Sequence, residues 1–135
     1  MIQKASGYFL AILLTFSVLI CTQQKAKAQT FNYKVNSMYI YYFTKYVGWS
    51  AGLKHNEITI GIIGDSPVID ELKTLTGNKK VNGEVIVIKK IAVAEAASCQ
   101  IIIISKSSIA QLKQVQEEIK NQPVLIVTEK AGYIN

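Results

Sequence analysis

The sequence predicts an α/β domain, a small three-layer, doubly wound, mostly parallel sheet preceded by an aromatic N-terminal helix. Three observations lead there. Short apolar segments at 57–63, 84–88, 101–104 and 124–127 alternate with helix-forming segments, the signature of a parallel sheet covered by helices. Two of those segments, EITIGII and IIII, are apolar almost throughout, as in strands covered on both faces. The connections carry helix start and stop signals: Ser66-Pro67 before one helical segment and Gly77 after it, Ser107 or Ser108 before another and Pro123 after it.

Taken in order, residues 1–28 read as a Sec signal peptide. Lys4 gives a short positive region, Tyr8 to Cys21 is a nearly unbroken apolar run, and Ala26-Lys27-Ala28 offers small residues for cleavage, leaving 29–135 as a single exported domain. The apolar run is shorter than the roughly 20 residues of a spanning helix. Ile20 is bulky where a lipidation site at Cys21 would want a small residue.

The aromatic helix comes next. Val35, Met38, Tyr39, Tyr42, Phe43, Tyr46 and Val47 recur at helical spacing and share one face, with Lys34, Ser37, Tyr41, Thr44, Lys45 and Gly48 opposite. Such a stripe fits a core-packed helix, a membrane-surface helix or a partner-docking helix. Lys34 and Lys45 are too few for a basic membrane-facing surface, and covering the sheet is the expected use of the stripe. Tyr41, Lys45 and Trp49, left over on the polar side and at the helix end, are expected to flank a docking surface.

The strand Glu57 to Ile63 follows, then a helix with Val68, Ile69, Leu72 and Leu75 on one face. Asn82-Gly83 marks a turn before the strand Glu84 to Ile88. Ala92 to Ala97 supplies one or two helical turns of crossover, Ile101 to Ile104 is the third strand, and Ile109, Leu112, Val115 and Ile119 form the stripe of the last helix. Val124 to Val127 is the fourth strand.

Composition excludes several function classes. With the signal removed, Lys4, Lys25 and Lys27 leave, so fifteen lysines become twelve against nine carboxylates and the net charge falls from +6 to +3. That is too mild for nucleic acid, and the chain has no arginine for bidentate phosphate recognition. One histidine, His55 in a turn, supports neither a triad nor a zinc shell, and there is no GxSxG elbow. No catalytic residue, metal or cofactor is expected. Cys99, the one cysteine after the signal, reads as a buried small residue, an intermolecular partner or a redox thiol without its mate.

In an open α/β sheet, ligands bind beyond the carboxyl ends of strands where the strand order reverses. That rule points to two loops, Gly64-Asp65-Ser66 and Ser105-Lys106-Ser107-Ser108. Both lead into helix N-termini that favour an anion, and Lys106 adds a charge. Capping alone explains the same serines, and neither GxGxxG nor a P-loop is present.

Together, NSMYIYYFTKYVGWS, EITIGIIGDSPVIDELKTLTG, SCQIIIISKS and PVLIVTEKAGYIN resemble the YfiR-type family of exported bacterial proteins over nearly all of Asn32 to Asn135. The shared pattern is an aromatic helix ending in Trp, a strand running into Gly-Asp-x-Pro, a Cys opening the third strand, and a fourth strand ending in Thr or Ser before a Gly. The resemblance implies a non-catalytic periplasmic regulator that binds the periplasmic part of an inner-membrane signalling protein. A diguanylate cyclase held inactive is the best known case, and a sensor kinase is another partner of this kind. It also implies a tendency to homodimerise. A small solute-binding or anion-binding domain using the two loops is the competing expectation. Two departures stand out: many relatives have a cysteine that aligns with Gly61, so Cys99 lacks an expected disulfide partner, and relatives continue beyond the position of Asn135 with a further strand and helix.

Overall fold

The computed structural model describes residues 31–49 and 56–130. They belong to one unit, Phe31–Asn135. The signal segment, His55 and the Ser50-Ala51-Gly52 group lie outside the described residues. In chain order the elements are α1 (Tyr33–Tyr46), β1 (Glu57–Ile63), α2 (Val68–Thr76), β2 (Lys80–Val81), β3 (Glu84–Lys90), a 3-10 turn (Val93–Ser98), β4 (Ile101–Ile104), a second 3-10 turn (Lys106–Gln111), α3 (Leu112–Glu118) and β5 (Leu125–Thr128).

The sheet has the order β2-β3-β1-β4-β5. β1 pairs in parallel with both β3 and β4, and β4 pairs in parallel with β5, so the sheet is doubly wound as the alternation predicts. Among the described residues only β2 runs antiparallel, as a two-residue edge joined to β3 by the Asn82-Gly83 turn. Both turn residues have positive φ, 53° and 90°, as a tight primed hairpin requires. Sequence reading places the turn but not β2, since two residues carry no period of their own.

The two-residue alternation of a strand sorts the isoleucines between two cores. Ile58, Ile60, Ile62, Ile101 and Ile103 face α1 and α2, packing with Ile40, Val68 and Leu72. Ile63, Ile102 and Ile104 face the other layer, with Cys99, Ala96, Val115 and Ile119. Each large side chain buried this way stabilises the fold by about 1.5–3 kcal/mol. The central strands are thus covered on both faces, which is why they read as unbroken apolar runs.

α2 behaves as its sequence predicts. Pro67 is already helical at φ −60°, Ser66 Oγ accepts from Val68 N–H at 3.1 Å, and Gly77 ends the helix at φ 47°. The start of α3 differs. Neither Ser107 nor Ser108 caps it: Ser105 precedes a 3-10 turn without a side-chain capping bond, and the α-helix proper begins at Leu112 after Gln111. Ser108 N–H bonds Ser105 O at 3.0 Å directly after β4, which tightens the chain into i to i+3 bonding.

The facing of α1 overturns the expectation that its aromatic stripe covers the sheet. Ser37, Ile40 and Thr44 are buried instead, with Tyr33 and Tyr41 packed half-buried against the same core. The seven residues of the stripe are all exposed. Ser37 Oγ donates to Lys34 O at 2.9 Å and Thr44 Oγ1 to Tyr41 O at 2.6 Å, so the helix satisfies both hydroxyls and burying them leaves no orphan donor. α1 packs closely beside α2, and Ile40 reaches into the core beneath them. Asn32 caps the start, accepting from Val35 N–H at 3.2 Å.

Candidate functional site

The reversal of strand order falls between β1 and β4. From β1 the chain moves toward β3 on one side, and from β4 toward β5 on the other. The two loops singled out by sequence therefore meet at the carboxyl ends of neighbouring strands. Ser105 N–H extends the ladder to Ile63 O at 3.0 Å, and Glu129 N–H extends it to Ile104 O at 3.1 Å. Gly64 sits at φ 87°, and a Cβ there would run into the hydroxyls of Ser105 and Ser108. Only glycine lets the two loops close together at this point.

The crevice contains a residue that sequence reading missed. Glu129, one position beyond β5 and 8% exposed, turns its carboxylate into the crevice. Ser66 Oγ donates to its Oε1, and the Lys106 backbone N–H donates to its Oε2 at 3.2 Å. The chain's own carboxylate thus takes the position beside the helix starts that an external anion would take. Ser105 and Ser107 pair their hydroxyls at 3.0 Å, while the Lys106 side chain is exposed. Asp65 points outward to Lys90 at 2.5 Å, with both groups largely in water, a pair of little energetic weight. The available signal for Glu129 was a lone acid directly after the last strand, on the edge where helix starts collect.

Ser66 Oγ already accepts from Val68 N–H, and the carboxylate is divided between a hydroxyl and a backbone amide. Among the described residues no group of three His, Cys, Asp or Glu side chains could hold a metal ion.

Tyr41, Lys45 and Trp49 lie elsewhere, around the end of α1. Tyr41 and Trp49 pack half-buried against the core, so they are less free than the sequence pattern implies. Lys45 Nζ stands 4.8 Å from the Tyr41 ring centroid, and Lys79, from the loop after α2, stands 5.2 Å from it. Two ammonium groups share one aromatic ring. Lys79 was invisible to sequence reading because it lies far along the chain from α1 and only the fold brings them together. The Trp49 indole N–H is buried with no hydrogen-bond partner among the described residues.

The family model described as DUF4154, YfiR/HmsC-like, matches residues 33–135, covering all of the described elements. This chain belongs to the YfiR/HmsC-like family. No curated protein matches the sequence closely enough to add to that assignment. The YfiR/HmsC-like family is one of periplasmic regulators of signalling rather than of enzymes, and no helix among the described residues is long and apolar enough to cross a membrane.

Within this YfiR/HmsC-like domain, Cys99 is a free, buried thiol at the entrance to β4. It points to Glu95 O at 3.8 Å. Burial pushes the thiol above its ordinary pKa, outweighing the Ser98 hydrogen bond and the Lys89 charge, which pull the other way. A Cβ on Gly61 would lie 2.7 Å from Cys99 Sγ and 2.5 Å from Ile91 Cδ1. Gly61 therefore faces the thiol directly, and Cys99 forms no disulfide among the described residues.

Proposed function

We propose that the exported chain is a non-catalytic regulator that binds the periplasmic part of an inner-membrane signalling protein. A diguanylate cyclase is the target the family favours. Membership of the YfiR/HmsC-like family over residues 33–135 carries this reading. Signal-peptide cleavage near Ala28 would deliver the domain to the periplasm, where such a target presents its sensory part. The Tyr41, Lys45 and Trp49 region, with Lys79, is the proposed contact, because it combines aromatic surface with two cations close together. Surface plasmon resonance against the purified periplasmic domains of the host's diguanylate cyclases and sensor kinases tests it. Saturable binding to one, weakened at least tenfold by Lys45→Glu with Lys79→Glu, is the expected result. Binding to none would end the reading.

One observation favours a second reading, an anion-binding domain: the two loops do converge at the strand-order reversal around a polar crevice. An external anion there would have to displace the Glu129 carboxylate. Isothermal titration with inorganic phosphate distinguishes the cases, because binding by the unaltered chain supports the second reading. No heat with either the unaltered chain or Glu129→Gln removes it.

A further inference from the structure

α1 turns an unpartnered apolar face outward. Val35, Met38, Tyr39, Tyr42, Tyr46 and Val47 are 36–79% exposed and run the length of a 14-residue helix, about 21 Å at 1.5 Å per residue. Scattered apolar residues on a surface need no explanation, whereas a contiguous stripe does. A straight row at helical spacing forms a ridge, and the grooves of another helix accept such a ridge. Tyr42 and Tyr46 are stacked, with centroids 6.2 Å apart and planes 26° from parallel, and rings held by one another lose little freedom on association.

Charge decides which helix fits. No Asp or Glu lies between Phe31 and Trp49, so Lys34 and Lys45 are the charges that α1 sets beside the stripe. Lys79 adds a third: it and Lys45 stand 5.2 and 4.8 Å from the Tyr41 ring centroid, and that ring lies 5.9 Å from Tyr42. The lysine pair therefore edges the stripe. Among the described residues the ion pair is Lys90 with Asp65, and none of Lys34, Lys45 and Lys79 is paired with a carboxylate. Two ammonium groups on one ring repel each other until an anion lies beside them. Carboxylates on an arriving helix neutralise this margin and fix the side on which the helix lies, since interfacial charges act mainly on orientation and specificity. A second α1 would bring more lysine and no carboxylate. A lipid surface also fits less well, because a helix lying on a bilayer keeps a lysine-rich polar face toward the headgroups, whereas Ser37 and Thr44 are turned into this protein.

We propose that the stripe of α1 and the lysines at Tyr41 form one docking face for an amphipathic helix in the exported part of the membrane signalling protein, a helix whose apolar stripe is edged with Asp or Glu. This rests on the regulatory reading above and names the chemistry of its contact. The stripe supplies the apolar surface, and the lysines select an acidic helix over a neutral or basic one.

Photocross-linking of the exported chain in the cells that make it tests the face, with p-benzoylphenylalanine placed at Tyr46 or, as a control on α3 across the sheet, at exposed Lys113. Mass spectrometry of the linked peptides is expected to show, from position 46 and not from 113, a segment of an inner-membrane signalling protein with Asp or Glu beside apolar residues at helical spacing. Lys45→Glu with Lys79→Glu should cut that product about fivefold or more. Should those glutamates unfold the chain, Lys45→Gln with Lys79→Gln should still lower it about threefold. No linkage at position 46, linkage there to lipid, to a second copy or to a segment without carboxylates, or a product that the folded variants leave unchanged overturns the proposal. A signalling protein linked only through position 113 overturns this face and leaves the regulatory reading standing. An acid-edged helix of a protein with no signalling part, linked through position 46, upholds the acidic contact and removes that reading.

Discussion

Glu129 and Ser66, 63 positions apart in the chain, are hydrogen-bonded across the carboxyl ends of the sheet. The bond ties the end of β5 to the start of α2, and the Lys106 amide ties the same carboxylate to the loop after β4. Three segments that diverge from the strand-order reversal are held by one side chain. Glu129→Ala leaves the Lys106 amide and Ser66 hydroxyl without this acceptor and is expected to cost about 1–3 kcal/mol of stability. Glu129→Gln, which keeps one acceptor oxygen, should cost less. Urea unfolding of the three proteins checks the order.

The facing of α1 makes a pair of opposite predictions. Ile40→Ala removes a fully buried side chain and should destabilise the domain by about 2–5 kcal/mol. Tyr39→Ala, one position earlier and 60% exposed, should change stability by less than about 1 kcal/mol. If the stripe covered the sheet, denaturant midpoints would show the reverse.

Gly61→Cys should form a disulfide with Cys99 under mild oxidation. The Cβ position lies 2.7 Å from Cys99 Sγ, and the flexible end of Ile91 has only to swing aside. Closing the loop between them is expected to add about 2–4 kcal/mol relative to the reduced form. Intact mass and thiol titration read the bond, and reductant should lower the unfolding midpoint of this variant alone.

The Cys99 thiol gives stability a pH dependence of known sign. Burial raises its pKa in the folded chain, so the unfolded thiol ionises first as pH rises. Its contribution is complete below the ordinary thiol pKa of about 8.5 and is lost as pH climbs through the folded value. Comparing unfolding of the unaltered chain and Cys99→Ala from neutral to alkaline pH should show the unaltered chain losing stability more steeply. Alkylation of native Cys99 at neutral pH should be slow and become fast in urea.

Sequence reading succeeds where one physical cause dominates. Ile101 to Ile104 and Glu57 to Ile63 have only one good environment, between two layers, and both strands lie where their composition places them. It inverts α1 because hydrophobicity ranks Tyr39 and Tyr42 above Ser37 and Thr44. The local bonds to Lys34 O and Tyr41 O that make those hydroxyls buriable are not visible in a hydropathy pattern. The crevice is half legible. Gly64 and Ser66 announce a turn and a cap, but Glu129 and Lys79 join their partners only through the sheet order and the packing of α2 beside α1. A chain read one segment at a time does not contain those contacts.

The regulatory reading meets its most direct test in the host cell, through the level of cyclic di-GMP with and without this chain. Deleting its gene should raise the nucleotide several-fold, and supplying the exported wild-type chain should restore the original level, while a copy lacking residues 1–28 should not. A level unchanged by deletion, in cells that make and export the protein, would contradict control of a diguanylate cyclase by this domain.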